Sequence, residues 1–245
     1  MIAILGANSQ LGKCFLDQTK YQTQEFYSRS LNLLEVDEIE ESFHPKLYDA
    51  VINFSAFNDV EDAESNDNAL VLNYHAVDKI SALCSKNDIF FLHISTDYVF
   101  DGSQPSNSEN QKPNPINKYG LSKFLGEQAV RQNCKKYLII RTSWLYSHHQ
   151  SPSNFLFNIK NLFESDADIL YGAIDSFGSP TSAVNLADGI ERVLKYLFES
   201  TIAYGTYHFS DIGNVSRFTF LKKIEDELSK LNSCLLYTSP SPRDK

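Results

Sequence analysis

Short apolar runs alternate with amphipathic stretches through Arg141, and this alternation is the strongest constraint on the fold. Ile2–Leu5, Asp49–Phe54, Ile89–Ile94 and Tyr137–Arg141 are rich in β-branched and aromatic residues and end at glycine or polar residues, as buried strands do. Glu25-Phe26-Tyr27 supplies a further strand. Between them, apolar residues recur at helical spacing: Leu11, Cys14 and Phe15, then Leu72, Ala76, Ile80, Leu83 and Cys84, then Leu121, Leu125 and Val130. Glu35–Phe43 has the same spacing at Val36, Ile39 and Phe43 and is expected to be an acidic surface helix. Buried strands separated by helices imply crossover connections, so the expected class is α/β with a parallel, doubly wound sheet.

The first strand runs directly into Gly6-Ala7-Asn8-Ser9-Gln10-Leu11-Gly12 and then a helix, which puts glycines where a pyrophosphate can meet a helix N-terminus. Ser9 stands where a dinucleotide fingerprint usually has its middle glycine; serine is small and can donate a hydrogen bond. Ser28 and Arg29 end the second strand with no acid beside them. That suits the 2′-phosphate of NADPH more than the bare ribose of NADH, although Arg29 also reads as a solvated surface residue.

Ile89–Ile94 delivers Ser95 and Thr96 to the ligand edge of such a sheet. After a loop rich in Ser, Pro and Asn come Tyr119 and Lys123, four apart on a helix and therefore on one face. A cation near a phenol can lower its pKa by roughly one to three units, so Thr96, Tyr119 and Lys123 can form a proton-transfer site once a nucleotide turn precedes them. The Asp101–Asn117 loop is long enough to be a mobile rim over a substrate. Trp144, the only tryptophan, follows the strand at Tyr137–Arg141 and can serve either as core or as a stacking platform for a sugar or base. Asn73 lies beside a helix stripe, where it is either exposed or holds water or backbone near the site.

The chain of 245 residues, 42% hydrophobic and 22% charged, suits one α/β domain with a smaller lobe. A net charge of −9 argues against binding nucleic acid or an anionic membrane. No run is long enough to span a bilayer and the N-terminus lacks a basic leader, so a cytoplasmic protein is expected. Cys14, Cys84, Cys134 and Cys234 are scattered without nearby His partners, and His148 and His149 lie in a polar loop, so no metal site is expected. Further elements are expected as a helix over Phe155–Phe163, a strand at Ile169–Tyr171, a turn at Asp175–Thr181, a helix over Val184–Phe198, a strand at Thr206–Phe209 and a helix over Phe218–Leu231. Residues 233–245 lose all periodicity and resemble translated sequencing-adapter read-through, so they are set aside.

The Gly6–Gly12 turn, Ser95-Thr96-Asp97-Tyr98-Val99-Phe100, Tyr119-x-x-x-Lys123, Arg141-Thr142-Ser143-Trp144-Leu145-Tyr146 and Phe177-Gly178-Ser179-Pro180-Thr181 stand in order along the chain. Together they resemble the extended short-chain dehydrogenase/reductases, and within them the dTDP-4-dehydrorhamnose reductase family. The resemblance implies a Rossmann-type nucleotide domain over residues 1–147 with helix 182–199 packed back on it. A small substrate lobe would comprise 148–181 and 200–232, shorter than usual at its C-terminal end. It implies NADPH as cofactor, with NADH as an alternative, and a nucleotide-sugar substrate. Thr96, Tyr119 and Lys123 become the catalytic triad. The cofactor would meet Gly6, Ser9, Gln10, Leu11, Gly12, Ser28, Arg29, Asn32, Asn53, Phe54, Ser55, Ala56, Tyr119 and Lys123, with Asn32 where many relatives carry aspartate. The sugar nucleotide would meet Asp97, Tyr98 and Trp144. A homodimer is compatible with the family. Rival readings are a regulatory subunit similar to the methionine adenosyltransferase β-subunit, and a related reductase or epimerase with another sugar.

Overall fold

A computed structural model of the chain describes residues 1–149, 154–165, 172–200 and 202–231. The strand expected at Ile169–Tyr171 and the segment 233–245 lie outside the described residues. The nucleotide half begins β1 (Ile2–Leu5), α1 (Gln10–Leu16), β2 (Thr23–Phe26), α2 (Ile39–Ser42) and β3 (Ala50–Asn53). Next, α3 (Asn68–Leu70), one wide π-turn (Val71–His75) and α4 (Ala76–Lys86) follow without a break. After them come β4 (Phe90–Thr96), α5 (Lys118–Asn133) and β5 (Tyr137–Thr142). The rest comprises β6 (Leu145–Tyr146), α6 (Phe155–Glu164), β7 (Phe177–Gly178), β8 (Thr181–Ser182), α7 (Ala183–Glu199), β9 (Gly205–His208), β10 (Val215–Ser216) and α8 (Arg217–Leu231).

The central sheet has the order β2-β1-β3-β4-β5-β9, with every neighbouring pair parallel. The doubly wound class expected from the alternation is therefore what the chain adopts. Strands β1 and β3 are buried along their whole length because helices cover both faces. One layer packs Leu11, Cys14 and Phe15 of α1 with Leu186, Ile190 and Leu194 of α7 against Ile2, Ile4, Ile52 and Leu92. The other packs Ile39, Val77, Ile80, Leu83 and Val130 against Ala3, Leu5, Val51, Phe91 and Ile139.

Two expectations are corrected. Thr206–His208, assigned above to the lobe, falls within β9, the sixth strand of the central sheet, because Leu138–Arg141 of β5 offers it a parallel edge. Glu35–Phe43 is not one helix but a short 3₁₀ turn (Val36–Glu38) followed by the single turn α2. Only Ile39 and Phe43 there are fully buried, with Val36 half-buried against the same core, which is little apolar surface to support a longer helix. The pairs β6–β8 and β7–β10, with α6 and α8, gather beyond the carboxyl end of β5. Phe155, Tyr146 and Trp144 all pack on Phe220 of α8 there.

Candidate active site

At the β1–α1 turn, Gly6 has φ +72°, which β-branched and bulky residues rarely adopt, and a Cβ there would lie 2.6 Å from Ser55 N. Ser9 is the N-cap of α1: its Oγ accepts from Gly12 N at 3.0 Å, so the serine that replaces the fingerprint glycine fixes the helix start and keeps its own hydroxyl hydrogen to donate. Asn53, buried at the end of β3, shapes the neighbouring loop by accepting from Ser55 N and meeting His93 Nδ1 at 3.2 Å. A cavity of about 230 Å³ opens between these turns, lined in part by Gly6, Ser9, Ser28, Asn32, Phe54, Ser55 and Ala56. It sits where strand order reverses about β1, the place where doubly wound sheets take dinucleotides. The residues fit such a group: backbone approaches closely at the turn, and Leu31, Leu33 and Leu34 add an apolar wall.

Several expected cofactor residues do not line this cavity. Gln10 accepts a hydrogen bond from Ser147 Oγ, Leu11 is buried in the core and Gly12 packs under the turn. Arg29 is exposed, with its guanidinium 5.6 Å from the centre of the Tyr27 ring.

The proton-transfer candidates meet at the carboxyl end of β4. Asn117 caps α5 by accepting from Gly120 N at 2.7 Å. The first turn of α5 presses so closely on Tyr98 that a Cβ on Gly120 would lie 2.2 Å from the Tyr98 carbonyl oxygen. Tyr119 is thereby buried with its ring 5.6 Å from that of Tyr98 and its phenol beside the Thr96 hydroxyl. Thr96 Oγ1 also accepts from Tyr98 N and lies 3.2 Å from Asp97 Oδ1, while Ser143 Oγ donates to Asp97 Oδ2 at 2.6 Å. Burial raises the Asp97 carboxyl pKa.

Lys123 is buried one turn along, with Nζ donating to the Ile94 carbonyl at 2.7 Å. The expected lowering of the Tyr119 pKa by Lys123 is not what the geometry gives. Burial pushes the phenol above its ordinary range against the opposing effect of the Thr96 hydroxyl, and burial also brings Lys123 down to about 8.

Two supports lie behind the site: Asn73, which the sequence left either exposed or holding water or backbone here and which the structure buries on backbone, and Glu127, which escaped the sequence reading. Asn73, on the wide turn, accepts from Phe57 N and donates to Phe57 O and Ser122 Oγ, and Ser122 in turn donates to Tyr119 O. It thus staples the loop flanking the cavity to the helix that carries the tyrosine. Glu127, buried, accepts from Ser95 Oγ and from Arg141 Nε and Nη2, with Arg131 on its outer oxygen. Its spacing of four from both Lys123 and Arg131 was the available signal. Trp144 has φ 42°, an uncommon strained backbone, and carries Arg217 3.7 Å above its ring.

The Asp101–Asn117 loop is tied down in part, through Asn114 to Asp101 and Val99 and through Glu109 Oε1 to His208 N. Among the described residues no helix is long and apolar enough to cross a membrane.

The family model described as "RmlD substrate binding domain" matches residues 1–242. The spore coat polysaccharide biosynthesis protein SpsK of Bacillus subtilis (strain 168) is 31% identical over 99% of this chain and 86% of its own length. A dTDP-4-dehydrorhamnose reductase of Aggregatibacter actinomycetemcomitans is 30% identical over 92% of this chain and 78% of its own. The solved dTDP-4-dehydrorhamnose reductase of Bacillus anthracis str. Ames in complex with NADP superposes with a TM-score of 0.84, at 31% identity, over 98% of this chain and 83% of that one. Matched by the family model over residues 1–242 and by relatives at 30–31% identity across most of its length, the chain belongs to the dTDP-4-dehydrorhamnose reductase (RmlD) family.

Proposed function

We propose that this chain is an NADPH-dependent dTDP-4-dehydrorhamnose reductase, with NADH as an alternative donor, serving nucleotide-sugar and cell-surface polysaccharide synthesis. The single observation that carries the reading is the burial of Tyr119 against Thr96 beside the loop that walls the cofactor cavity, Phe57 packing in the same cluster as Tyr119. When bound, the cofactor supplies hydride to the sugar's 4-keto carbon. Tyr119, held protonated by burial, gives its proton to the carbonyl oxygen as negative charge builds there, and Thr96 donates a hydrogen bond to the same oxygen.

Lys123 would hold the nicotinamide ribose. Gly6, Ser9, Asn32, Asn53, Phe54, Ser55 and Ala56 would line the dinucleotide, and Gln10, Leu11 and Gly12 can contribute only main-chain groups or support. Ser28 and Arg29 would take the 2′-phosphate. Asp97, Tyr98 and Trp144 would meet the sugar nucleotide. Residues 1–147 would form the cofactor domain, and the elements around α6 and α8 the substrate lobe.

The three described cysteines are free thiols, which suits a reducing, cytoplasmic setting. A homodimer belongs to the same reading through the family and is tested by sedimentation. The decisive assay follows NADPH oxidation with dTDP-4-dehydrorhamnose, beside another 4-keto nucleotide sugar. Oxidation with the dTDP sugar is expected. NADPH binding without turnover of either sugar would overturn the reading in favour of a regulatory subunit.

A further inference from the structure

At the far end of α1, the fold assembles a set of metal-type donors from opposite ends of the nucleotide half. Cys14 lies on α1, Asp17 caps its C-terminus, and His148 and His149 sit on the loop leaving β6. Ligand atoms of Cys14, His148 and His149 all fall within 4.8 Å of one another. Asp17 Oδ2 is 2.7 Å from His149 Nε2 and 3.8 Å from His148 Nε2, and the two imidazole centres are 4.2 Å apart. Cys14 is 2% exposed, whereas the His148 side chain is 63% exposed, so the set has a closed floor and an open mouth.

Ser147 and His149 on either side of His148 are tied down. Asn154, buried, donates from Nδ2 to the carbonyls of Ser147 and His149, both at 2.7 Å, and Ser147 Oγ donates to Gln10 at the other end of α1. A surface Asp–His contact alone contributes little and asks for neither a second imidazole nor a thiol beside it. We propose that Cys14, His148, His149 and Asp17 form a site for one divalent ion of the zinc class. Thiolate, imidazole and carboxylate in a four-donor set suit Zn²⁺ and its mimic Co²⁺ rather than Mg²⁺ or Ca²⁺. Tetrahedral bonds of roughly 2.0–2.3 Å need donor atoms about 3.3–3.8 Å apart; the Cys14, His148 and His149 donors start within 4.8 Å of one another, and Asp17 would complete the set from its place beside the two imidazoles. The ion would clamp α1 to the loop that follows β6, independently of the reductase reading.

The experiment takes the full-length chain stripped with a chelator and adds ZnCl₂ alone or CoCl₂ alone. One zinc per chain should survive desalting and raise the melting temperature. Cobalt should give tetrahedral visible bands together with a thiolate-to-cobalt charge-transfer absorption. A His148→Ala/His149→Ala variant, altered only in a surface loop, should lose both zinc retention and the melting shift. Cys14→Ser should lose the charge-transfer absorption, and should that variant not fold, the histidine variant decides. Wild-type protein that retains no zinc would overturn the site. So would a histidine variant that keeps zinc and the charge-transfer band, since other thiols would then be the ligands.

Discussion

Tyr119 and Lys123 share a helix face but answer to different neighbours. The spacing made their common direction legible; it said nothing of Ile94, whose carbonyl captures the ammonium, nor of the burial that raises the phenol. For Tyr119 the consequence is direct. Tyr119→Phe removes the proton donor while keeping the ring against Tyr98, so turnover should fall by about 10²–10⁴-fold with NADPH affinity unchanged. Parallel fluorescence titration and steady-state rates check this, and undiminished turnover would remove the tyrosine from the mechanism.

For Lys123 the consequence is a stability profile. Its folded-state pKa is brought from 10.5 to about 8 by burial, so between those values the folded chain binds fewer protons than the unfolded one. Stability from this group therefore rises with pH across the window, and below it the full cost of burying the charge, about 3 kcal/mol, is present. The unfolding free energy of wild type minus that of Lys123→Met should accordingly grow in favour of wild type between about pH 7 and about pH 10. A flat difference would show that the lysine charge is not the cost.

At the level of elements, the seat of α5 matters more than its own sequence. Two close approaches fix it: Gly120 against the Tyr98 carbonyl and Gly126 against the Asn73 carbonyl, where added Cβ atoms would each lie 2.2 Å away. Both obstacles are backbone, so neither can swing aside. Gly120→Ala should cost about 1–3 kcal/mol by overpacking and displace Tyr119 from Thr96, lowering turnover along with the melting temperature. Retained turnover in a destabilised protein would separate the seat from the chemistry.

Strands β1, β3, β4 and β5 and helices α4 and α7 were legible because each carries a long or unbroken apolar pattern; α5 was read from Leu121, Leu125 and Val130, yet Leu121 is exposed and the face it buries holds Tyr119, Ser122, Lys123, Gly126 and Glu127 instead. The wide turn at Val71–His75 was not, since its residues keep helical spacing and only the backbone widens. Strand β9 read correctly as a strand but was given to the wrong body, because its partner β5 lies more than sixty residues earlier and no local pattern names a neighbour. The meeting of Cys14 with His148 and His149 is hidden for the same reason: scattered ligands show no spacing motif until the sheet brings them together.

At the scale of the molecule, a buried charge network joins α5, the central sheet and the rim loop. Glu127 of α5 receives Ser95 of β4 and Arg141 of β5, while Arg131 reaches on to Thr206 of β9 and Arg141 lies 3.3 Å from His208. His208 in turn offers its N–H to Glu109 in the rim loop. Burial opposes ionisation of Glu127, yet the Arg141 guanidinium, Ser95 and Arg131 outweigh it and hold the carboxyl below its ordinary range. The folded-state pKa is thus lower than the unfolded one, so this stabilisation is present at neutral pH and lost as acid protonates the group.

Desolvating two charges offsets much of their attraction, but removing one partner strands the other without solvent. Glu127→Ala should therefore cost roughly 3–5 kcal/mol, leaving Arg141 unpaired between α5 and β5. Glu127→Ala combined with Arg141→Met should cost distinctly less than the sum of the two single changes, because the pair is lost together. Denaturant unfolding of the four proteins, with slopes compared to confirm that only the midpoint shifts, completes the cycle. Strict additivity would mean that sheet, helix and rim are held by their apolar packing alone, with the ion pair a passenger in the core.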